Sequence, residues 1–394
     1  MKIFRSLKIL FCILSASFSA QTEMPIMGFH SFTPKTSTLE NFLKFKEAGF
    51  NINHTVFVNN EQVQSALDLA HKAGIKIIFY SDNLKTETET TVLRFKNHPA
   101  LYGYFLSDEP SPKDFAGIQV LKKKIEALDP NHFIYVNLHP NYAPQSYLEN
   151  LEYNAYVDLF LKTINVKVLS FDNYPIVNNK VNHDWYHNLE IIRKNALKYN
   201  KPFWAFANAT IFYNYKQPTI AGLKLQQFSN LLYGAKGLQY FTYVTMDDEY
   251  WKMHKFSYAI IHNNGKPTPT YNLVKTLNKQ IKTLSWIFLK SKVDSVFHAG
   301  DTIPIGTKRL NFLPKKFKNF KTYEKQALVS FMSSGTRKFV IIQNKDIFKP
   351  MSFNYQVQTG VSIVDNKTGK MKTAGTKNTI YHIPPGDILI FTHL

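Results

Sequence analysis

The sequence predicts an α/β protein in which a (β/α)8 TIM barrel is followed by a small C-terminal antiparallel β-sandwich. Between Pro25 and about residue 290, short strand-type runs alternate about eight times with longer amphipathic stretches. Eight such units in this length match a closed barrel of parallel strands. Beyond that point the chain shows short alternating runs broken by Gly, Asn and Pro, a pattern typical of antiparallel sheets.

Each barrel element has a recognisable signal. The candidate strands are, in order, IMGFHSF, NINHTVFV, IKIIFYSDN, ALYGYFLSDE, HFIYVNLHP, VKVLSFDNYPI, KPFWAFANAT and GLQYFTYVTMDD. Helical patterns lie between them, and the first two, STLENFLKFKEAG and EQVQSALDLAHKAG, end in Gly. An open doubly wound sheet is the alternative, but no Gly-rich phosphate loop follows the first strand. We therefore assign residues 21–290 to the barrel and 291–394 to the sandwich.

The amino terminus has the layout of a secretory signal peptide. Residues 1–20, MKIFRSLKILFCILSASFSA, combine a basic start, a short apolar centre and small residues before Gln21. This predicts export to the periplasm or the extracellular space, and no later run is long enough for an integral membrane segment. Cys12 is the only cysteine, so a mature chain without this peptide has no disulfide, thiolate metal site or cysteine nucleophile.

The chain is strongly basic. Its 394 residues carry a formal net charge of +20. An exported basic protein suits an anionic partner such as a sulfated or uronate-bearing polysaccharide, although lysines spread over the surface would serve solubility equally well. Export and the lack of a nucleic-acid motif argue against nucleic acid. No metal or cofactor is expected, and the oligomeric state is left open.

The catalytic site is expected at the carboxyl ends of the barrel strands. The fourth strand ends in Asp108 and Glu109, and because side chains alternate along a strand we expect only one of them to face the substrate. A carboxyl group at the lip of an apolar cavity has a raised pKa, which suits proton donation at neutral pH, and we assign this role to Glu109. Either residue could instead cap the helix that follows.

Other polar residues follow the remaining strands. Asp172 ends the sixth strand in LSFDNYP and is the candidate second carboxylate, or else a turn residue. Trp251, beyond the eighth strand, offers a flat face for a sugar ring. Apart from Trp251, such a residue is more often structural when taken alone, but together they predict a polar mouth that binds substrate: His30, His54, Asn137, His139, Tyr174, Asn208, Tyr243, Asp247 and Trp251.

Two segments carry a family resemblance. GYFLSDEP resembles the Asn-Glu-Pro ending of strand four in clan A glycoside hydrolases, and HNNGKPTPTYNLVKTLNKQIKTL resembles a stretch of family 42-type β-galactosidases and their uncharacterised bacterial relatives. The resemblance covers about residues 25–290. It implies a (β/α)8 barrel with Glu109 as acid/base, and such enzymes commonly carry an accessory C-terminal β domain.

The chain departs from that family in two places. Asp108 stands where clan A has an Asn, and KPFWAFANAT has no Glu where clan A keeps its nucleophile. One way to complete the site is to pair Glu109 with Asp172, which is similar to the strand-four and strand-six pairing of α-galactosidase-like barrels. In the other, Asp108 and Glu109 act together as in β-hexosaminidase-like enzymes, where the substrate's acetamido group is the nucleophile.

We therefore expect an exported hydrolase of O-glycosidic bonds in oligo- or polysaccharides, with Glu109 as general acid/base and Asp172 as second carboxylate. One alternative is a substrate-assisted glycosidase using Asp108 and Glu109. Another is a carbohydrate-binding barrel without activity, which the missing carboxylate on strand seven would suit. A metal-dependent hydrolase is disfavoured, because GFHSF carries one histidine where such barrels begin with a pair.

Overall fold

The computed structural model describes residues 23–394, so the predicted signal peptide and Cys12 lie outside the described residues. Eight parallel strands form a closed barrel in which each strand pairs with the next and the last pairs with the first. The predicted (β/α)8 barrel is therefore confirmed. Its strands are β1 (Ile26–Phe29), β2 (Ile52–Phe57), β3 (Lys76–Ser81), β4 (Leu101–Asp108), β5 (Phe133–Leu138), β6 (Leu169–Phe171), β7 (Phe203–Asn208) and β8 (Gly237–Phe241).

Helices surround this barrel. Several begin at a side-chain cap, such as Thr38, Asn59 and Thr219, because these side chains accept a hydrogen bond from a free backbone N–H of the first turn. The helices are α1 (Leu39–Glu47), α2 (Asn60–Ala73), α3 (Asp82–Thr86), α4 (Thr88–Phe95), α5 (Phe115–Leu128), α6 (Tyr153–Thr163), α7 (Trp185–Lys198), α8 (Ile220–Tyr233), α9 (Glu249–Met253) and α10 (Pro269–Lys290). A 3-10 turn, Pro112–Asp114, precedes α5, and a small hairpin, Ile176–Val177 with Lys180–Val181, follows β6.

The barrel strands separate two apolar layers. Side chains such as Ile77 and Tyr104 pack outward against the helices, whereas Phe29, Phe105 and Trp204 fill the barrel interior. Alternation along each strand sends successive residues to opposite layers. The interior layer forms the floor of the face at the carboxyl ends of the strands, because it lies directly below those ends.

One glycine brings β4 and β5 together. A Cβ atom on Gly103 would lie 2.1 Å from the carbonyl oxygen of Phe133, so only glycine permits this approach of the two backbones. The next residues of the same two strands carry the candidate site. Gly103 therefore fixes the strand pairing on which the site depends.

The C-terminal region is a β-sandwich, as predicted. It begins directly after α10 with β9 (Lys292–Ala299) and continues with β10 (Phe317–Lys321), β11 (Ala327–Ser334), β12 (Arg337–Asn344), β13 (Met351–Val357), β14 (Ser362–Val364), β15 (Met371–Thr373), β16 (Thr379–Ile383) and β17 (Ile388–His393). Six of these strands form one antiparallel sheet in the order β9-β11-β12-β17-β14-β15, and β10-β13-β16 form the other. The larger sheet contacts α8, where Ser330 Oγ donates to the Leu232 carbonyl at 2.8 Å.

Across residues 23–394, no helix has both the length and the apolar composition that crossing a membrane requires.

Candidate active site

A bulge in β4 brings both carboxylates to the site. Phe105 pairs with Tyr135, but the register then shifts by one residue, so Asp108 pairs with Asn137. The extra residue reverses the alternation, and Asp108 enters the barrel mouth on the same side as Phe105. Glu109 follows with a φ of +46°, which turns its side chain back over the strand ends. The prediction that only one of the two residues faces the site is therefore wrong.

Neither carboxylate caps the following helix. The 3-10 turn begins at Ser111, whose backbone N–H and hydroxyl group both donate to the carboxylate of Asp114, at 2.9 and 2.8 Å. Because the helix start is satisfied locally, Asp108 and Glu109 remain available at the strand end.

Asn137 joins two of the acidic groups. Its Nδ2 donates to Asp108 Oδ1 at 3.1 Å and to Asp172 Oδ1 at 3.3 Å. The residue is buried on β5, between the strands that carry the two aspartates. It was predicted to contact substrate, but both of its amide hydrogens are directed at the carboxylates. Asn137 therefore holds Asp108 and Asp172 beside each other.

Asp172 lies beside Glu109. After burial, the charge of Glu109 is the main cause of the raised pKa of Asp172. The Asp172 side chain is 8% exposed, whereas that of Glu109 is 39% exposed. The strand-four and strand-six carboxylates thus form one pair, with Glu109 toward solvent and Asp172 beneath it.

Burial and repulsion between neighbouring carboxylates raise the pKa values of these three acidic residues. Burial and then the Asp108 charge raise the pKa of Glu109 to about 7. Burial, followed by the charges of Glu109 and Asp108, raises the pKa of Asp172 well above its usual range. Surrounding protein raises the pKa of Asp108 to about 6, although solvent reaches its side chain at the floor of the open cleft. Both carboxyl groups of the pair therefore hold their protons to a higher pH than ordinary carboxyl groups do.

His139 lies beside the pair. Its Nδ1 is 3.4 Å from Glu109 Oε2, and its backbone carbonyl accepts a hydrogen bond of 2.8 Å from the Tyr153 hydroxyl. Burial lowers the pKa of the ring, and the charges of Asp172 and Asp108 offset this only in part. A neutral imidazole next to Glu109 can accept or donate a hydrogen bond without removing the carboxyl proton.

Two tyrosines that the sequence analysis missed also line this side. Tyr142 lies in the loop after β5 and is 49% exposed. Tyr215 packs edge-on against Tyr174, with ring centroids 6.0 Å apart. Neither residue stands at a strand end, so position along the chain gave no signal for them.

The opposite side of the mouth is aromatic. Trp251 packs against His30, Phe241 and Phe256, with ring centroids 6.2, 6.2 and 5.4 Å apart. Burial lowers the pKa of His30 to about 4, so its ring is neutral. Beside it lies a cavity of about 220 Å³ whose lining includes His30, Asp247 and Asp248. These residues belong to the loops after β1 and β8, as predicted.

Three predicted site residues, His54, Tyr243 and Asn208, have other surroundings. His54 is fully buried inside the barrel and stacks on Phe29 with ring centroids 4.0 Å apart. Tyr243 is fully buried in the outer layer, 4.6 Å from the Phe45 ring centroid, so it does not line the mouth.

Asn208 bonds to its own loop, whereas Asp247 lies in the lining of the cavity beside His30. Both ends of the Asn208 amide bond to the backbone of Thr210, at 3.0 Å each. Asp247 is exposed and accepts a hydrogen bond from Asn263. Strand-end position alone cannot tell a residue that lines a cleft from one that closes a loop.

No group of three or more His, Asp or Glu side chains with the geometry of a metal site occurs in the part of the chain from residue 23 onward.

Comparison with solved structures supports the barrel-and-sandwich fold. No protein-family model matches the chain, and no curated protein sequence matches it. Among solved structures, a family 39 glycoside hydrolase from Bacteroides cellulosilyticus WH2 is similar with a TM-score of 0.56 at 11% identity, over 94% of this chain and 81% of that one. A family 5 glycoside hydrolase from Bacteroides vulgatus gives 0.56 at 11% identity, over 94% and 88% of the two chains.

A third similar structure, an α-amylase from Anoxybacillus, has a TM-score of 0.53 at 9% identity and covers 94% of this chain and 97% of that one. All three alignments extend through both the barrel and the sandwich, because they cover nearly the whole described chain. They confirm the fold that the family resemblance implied.

Proposed function

We propose that this protein is an exported glycoside hydrolase in which Glu109 is the general acid/base and Asp172 is the second carboxylate. The observation that carries the proposal is the placement of Glu109 and Asp172 beside each other at the carboxyl ends of β4 and β6, two strands joined through β5. Cleavage of a glycosidic bond needs one protonated and one ionised carboxyl group, and a pair of neighbouring carboxyl groups can supply both.

The reaction begins with proton transfer from Glu109 to the glycosidic oxygen. Asp172, ionised once the proton resides on Glu109, faces the sugar carbon that develops positive charge. Carboxyl groups about 5 Å apart act by double displacement, and groups about 6.5–9.5 Å apart act through an intervening water. Glu109 and Asp172 lie close enough for their charges to interact, and we assign the shorter arrangement, with Asp172 as nucleophile and Glu109 as the base that later activates water.

The charge around the pair favours an uncharged sugar at the cleaved position. Among the described residues, no Lys or Arg forms an ion pair with Asp108, Glu109 or Asp172, and the one basic contact is His139. A uronate placed here would meet three carboxyl groups without a compensating cation, which is unfavourable. The overall charge of +20 would then act on more distant parts of a polymeric substrate.

A substrate-assisted reaction is the second candidate. It is favoured by the bulge in β4, which puts the exposed Asp108 and Glu109 on the same side of the mouth. Asp108 would then orient an acetamido group that attacks the sugar carbon. Cleavage of N-acetylhexosaminides but not of the parent hexosides would identify this reaction.

The test is a screen of aryl and oligosaccharide glycosides with the protein from residue 21 onward. Wild type, Glu109→Gln and Glu149→Gln are compared, since Glu149 is an exposed loop glutamate. Cleavage by wild type and Glu149→Gln, with a loss of at least about 10²-fold in Glu109→Gln, is expected. NMR of the first product then gives retained configuration for double displacement. Sugar binding without cleavage in all three proteins would instead indicate a binding barrel.

Export is tested separately. If residues 1–20 direct secretion, the full chain expressed in a Gram-negative host is recovered outside the cytoplasm with a new amino terminus near Gln21. Recovery of uncleaved protein in the cytoplasm would contradict this part of the proposal.

A further inference from the structure

A chain of polar side chains runs through the otherwise apolar barrel interior to the carboxylates. The Tyr135 hydroxyl donates to Gln239 Oε1 at 2.6 Å, and Gln239 Nε2 donates to Ser170 Oγ at 2.9 Å. Ser170 Oγ donates to Asn137 Oδ1 at 2.9 Å. All four side chains are buried, with exposed fractions of 2% or less, and they come from β5, β6 and β8.

The hydrogen bonds among these four side chains all donate in one direction, from Tyr135 toward Asn137. A tyrosine hydroxyl has one hydrogen, and here it is given to the carbonyl end of the Gln239 amide. The NH2 end of Gln239 must then face Ser170, whose single hydrogen is left for the Asn137 carbonyl. The NH2 end of Asn137 is thereby directed at Asp108 and Asp172. If Asn137 were turned over, its carbonyl oxygen would face two carboxylates and Ser170 would lose its acceptor.

The acidic cluster depends on this orientation. Burial and the charges of the neighbouring Glu109 and Asp108 raise the pKa of Asp172. Hydrogen bonds to the ionised form of a carboxyl group oppose such effects, and the Asn137 bond lowers the pKa of Asp108 in this way. Asn137 supplies such a bond to both aspartates from a fixed position.

We propose that Tyr135, Gln239 and Ser170 are positioning residues that fix the Asn137 amide and thereby set the pH range in which Asp172 is ionised. The inference rests on the proposed hydrolase function for its kinetic consequence. The effect of these buried side chains on the ionisation of Asp108 and Asp172 does not depend on catalysis.

Ser170→Ala is the direct test. Without the hydroxyl, the Asn137 amide loses the partner that fixes its orientation, and the hydrogen bonds to the aspartates weaken. We expect the acid limb of the pH profile of kcat/KM to move up by about one pH unit, because the pair must lose its first proton at a higher pH. Ser330→Ala is the matched control, since it removes a buried serine hydroxyl that bonds to the Leu232 carbonyl, far from the site.

Tyr135→Phe tests transmission along the chain. It removes a hydroxyl group that donates to Gln239 and also lies 3.1 Å from Ser170 Oγ, but that does not touch Asn137. The Gln239 amide can then turn over and accept the Ser170 hydrogen, which takes it away from Asn137. We expect a shift of the acid limb in the same direction as in Ser170→Ala, and smaller, because Ser170 keeps its hydroxyl.

The outcomes separate the inference from the hydrolase proposal. Acid limbs that coincide in wild type, Ser170→Ala and Tyr135→Phe would overturn the inference, even if both variants lose stability. If no glycoside is cleaved by wild type, the melting temperature is followed from pH 4 to pH 8 in Ser170→Ala and Ser330→Ala. A steeper loss with rising pH in Ser170→Ala supports the inference, because its aspartates resist ionisation more strongly. Parallel curves contradict it.

Discussion

The two halves of the barrel mouth differ in chemistry. The half built by β4, β5 and β6 carries three carboxyl groups with raised pKa values, two of which, Asp108 and Asp172, are linked through Asn137. The half built by β7, β8 and β1 carries aromatic rings around Trp251, and the amide of Asn208 is bonded to its own loop. The acidic half therefore suits the proposed proton transfer, and the aromatic half offers apolar faces on which a sugar ring can rest.

The largest expected effect lies in the acidic half. In Asp172→Asn, the residue that faces the developing positive charge can no longer ionise. We expect kcat/KM for any cleaved glycoside to fall by at least about 10²-fold. An Asp184→Asn control, which changes an exposed aspartate after the same strand, is expected to retain wild-type kinetics. Equal activity of wild type and Asp172→Asn would remove Asp172 from the mechanism.

A smaller effect is expected in the aromatic half. Trp251→Ala removes a ring that packs on His30 and Phe241 but touches none of the carboxyl groups. Loss of a stacking face should raise KM by about tenfold at most and leave the pH profile unchanged. A Trp251→Phe variant keeps a ring and should recover much of the affinity. A shifted pH profile in Trp251→Ala would show that the two halves are not independent.

The smallest expected effect is on the melting temperature, and it has opposite signs for substitutions of Asp172 and Asp158. The folded-state pKa of Asp172 is raised, so its contribution to stability is present at acid pH and is lost as pH rises through that pKa. Asp172→Asn should therefore melt higher than wild type at pH 8, by on the order of 2 °C, and the difference should shrink toward pH 4.

Asp158 provides the opposite case. It is paired with Lys162 and Lys198, which hold the pKa of its carboxyl below the usual range. Its contribution is present above the unfolded pKa and lost in acid, so Asp158→Asn should lower the melting temperature at pH 8 and matter less toward pH 3. Calorimetry over this range checks both variants. Curves of the same sign would contradict the assigned environment of Asp172.

Sequence reasoning predicted the architecture because strand–helix alternation is a local signal. It also placed Glu109 and Asp172 at strand ends, where the structure brings them beside each other. The bulge that admits Asp108 could not be predicted in this way, because it depends on how β4 pairs with β5. Tyr243 was misplaced for a similar reason, since its direction depends on the path of the chain after β8.

The buried polar chain had a sequence signal that was not used. Ser170 and Gln239 are polar residues within short apolar strands, LSF and GLQYF. A polar side chain inside a closed barrel needs a partner, so two of them on different strands imply a connection. Which residues they join, and in which direction hydrogens are donated, required the three-dimensional arrangement.

We propose that Glu109 donates the proton to the leaving group. This role is tested most directly by measuring kcat/KM of wild type and Glu109→Gln on two glycosides of the same sugar, one with a dinitrophenyl and one with a methyl leaving group. Dinitrophenolate departs without a proton, whereas methoxide does not. We predict a loss of about 10²-fold or more on the methyl glycoside and a much smaller loss on the dinitrophenyl glycoside. Equal losses on both substrates would contradict the assignment of Glu109 as the general acid.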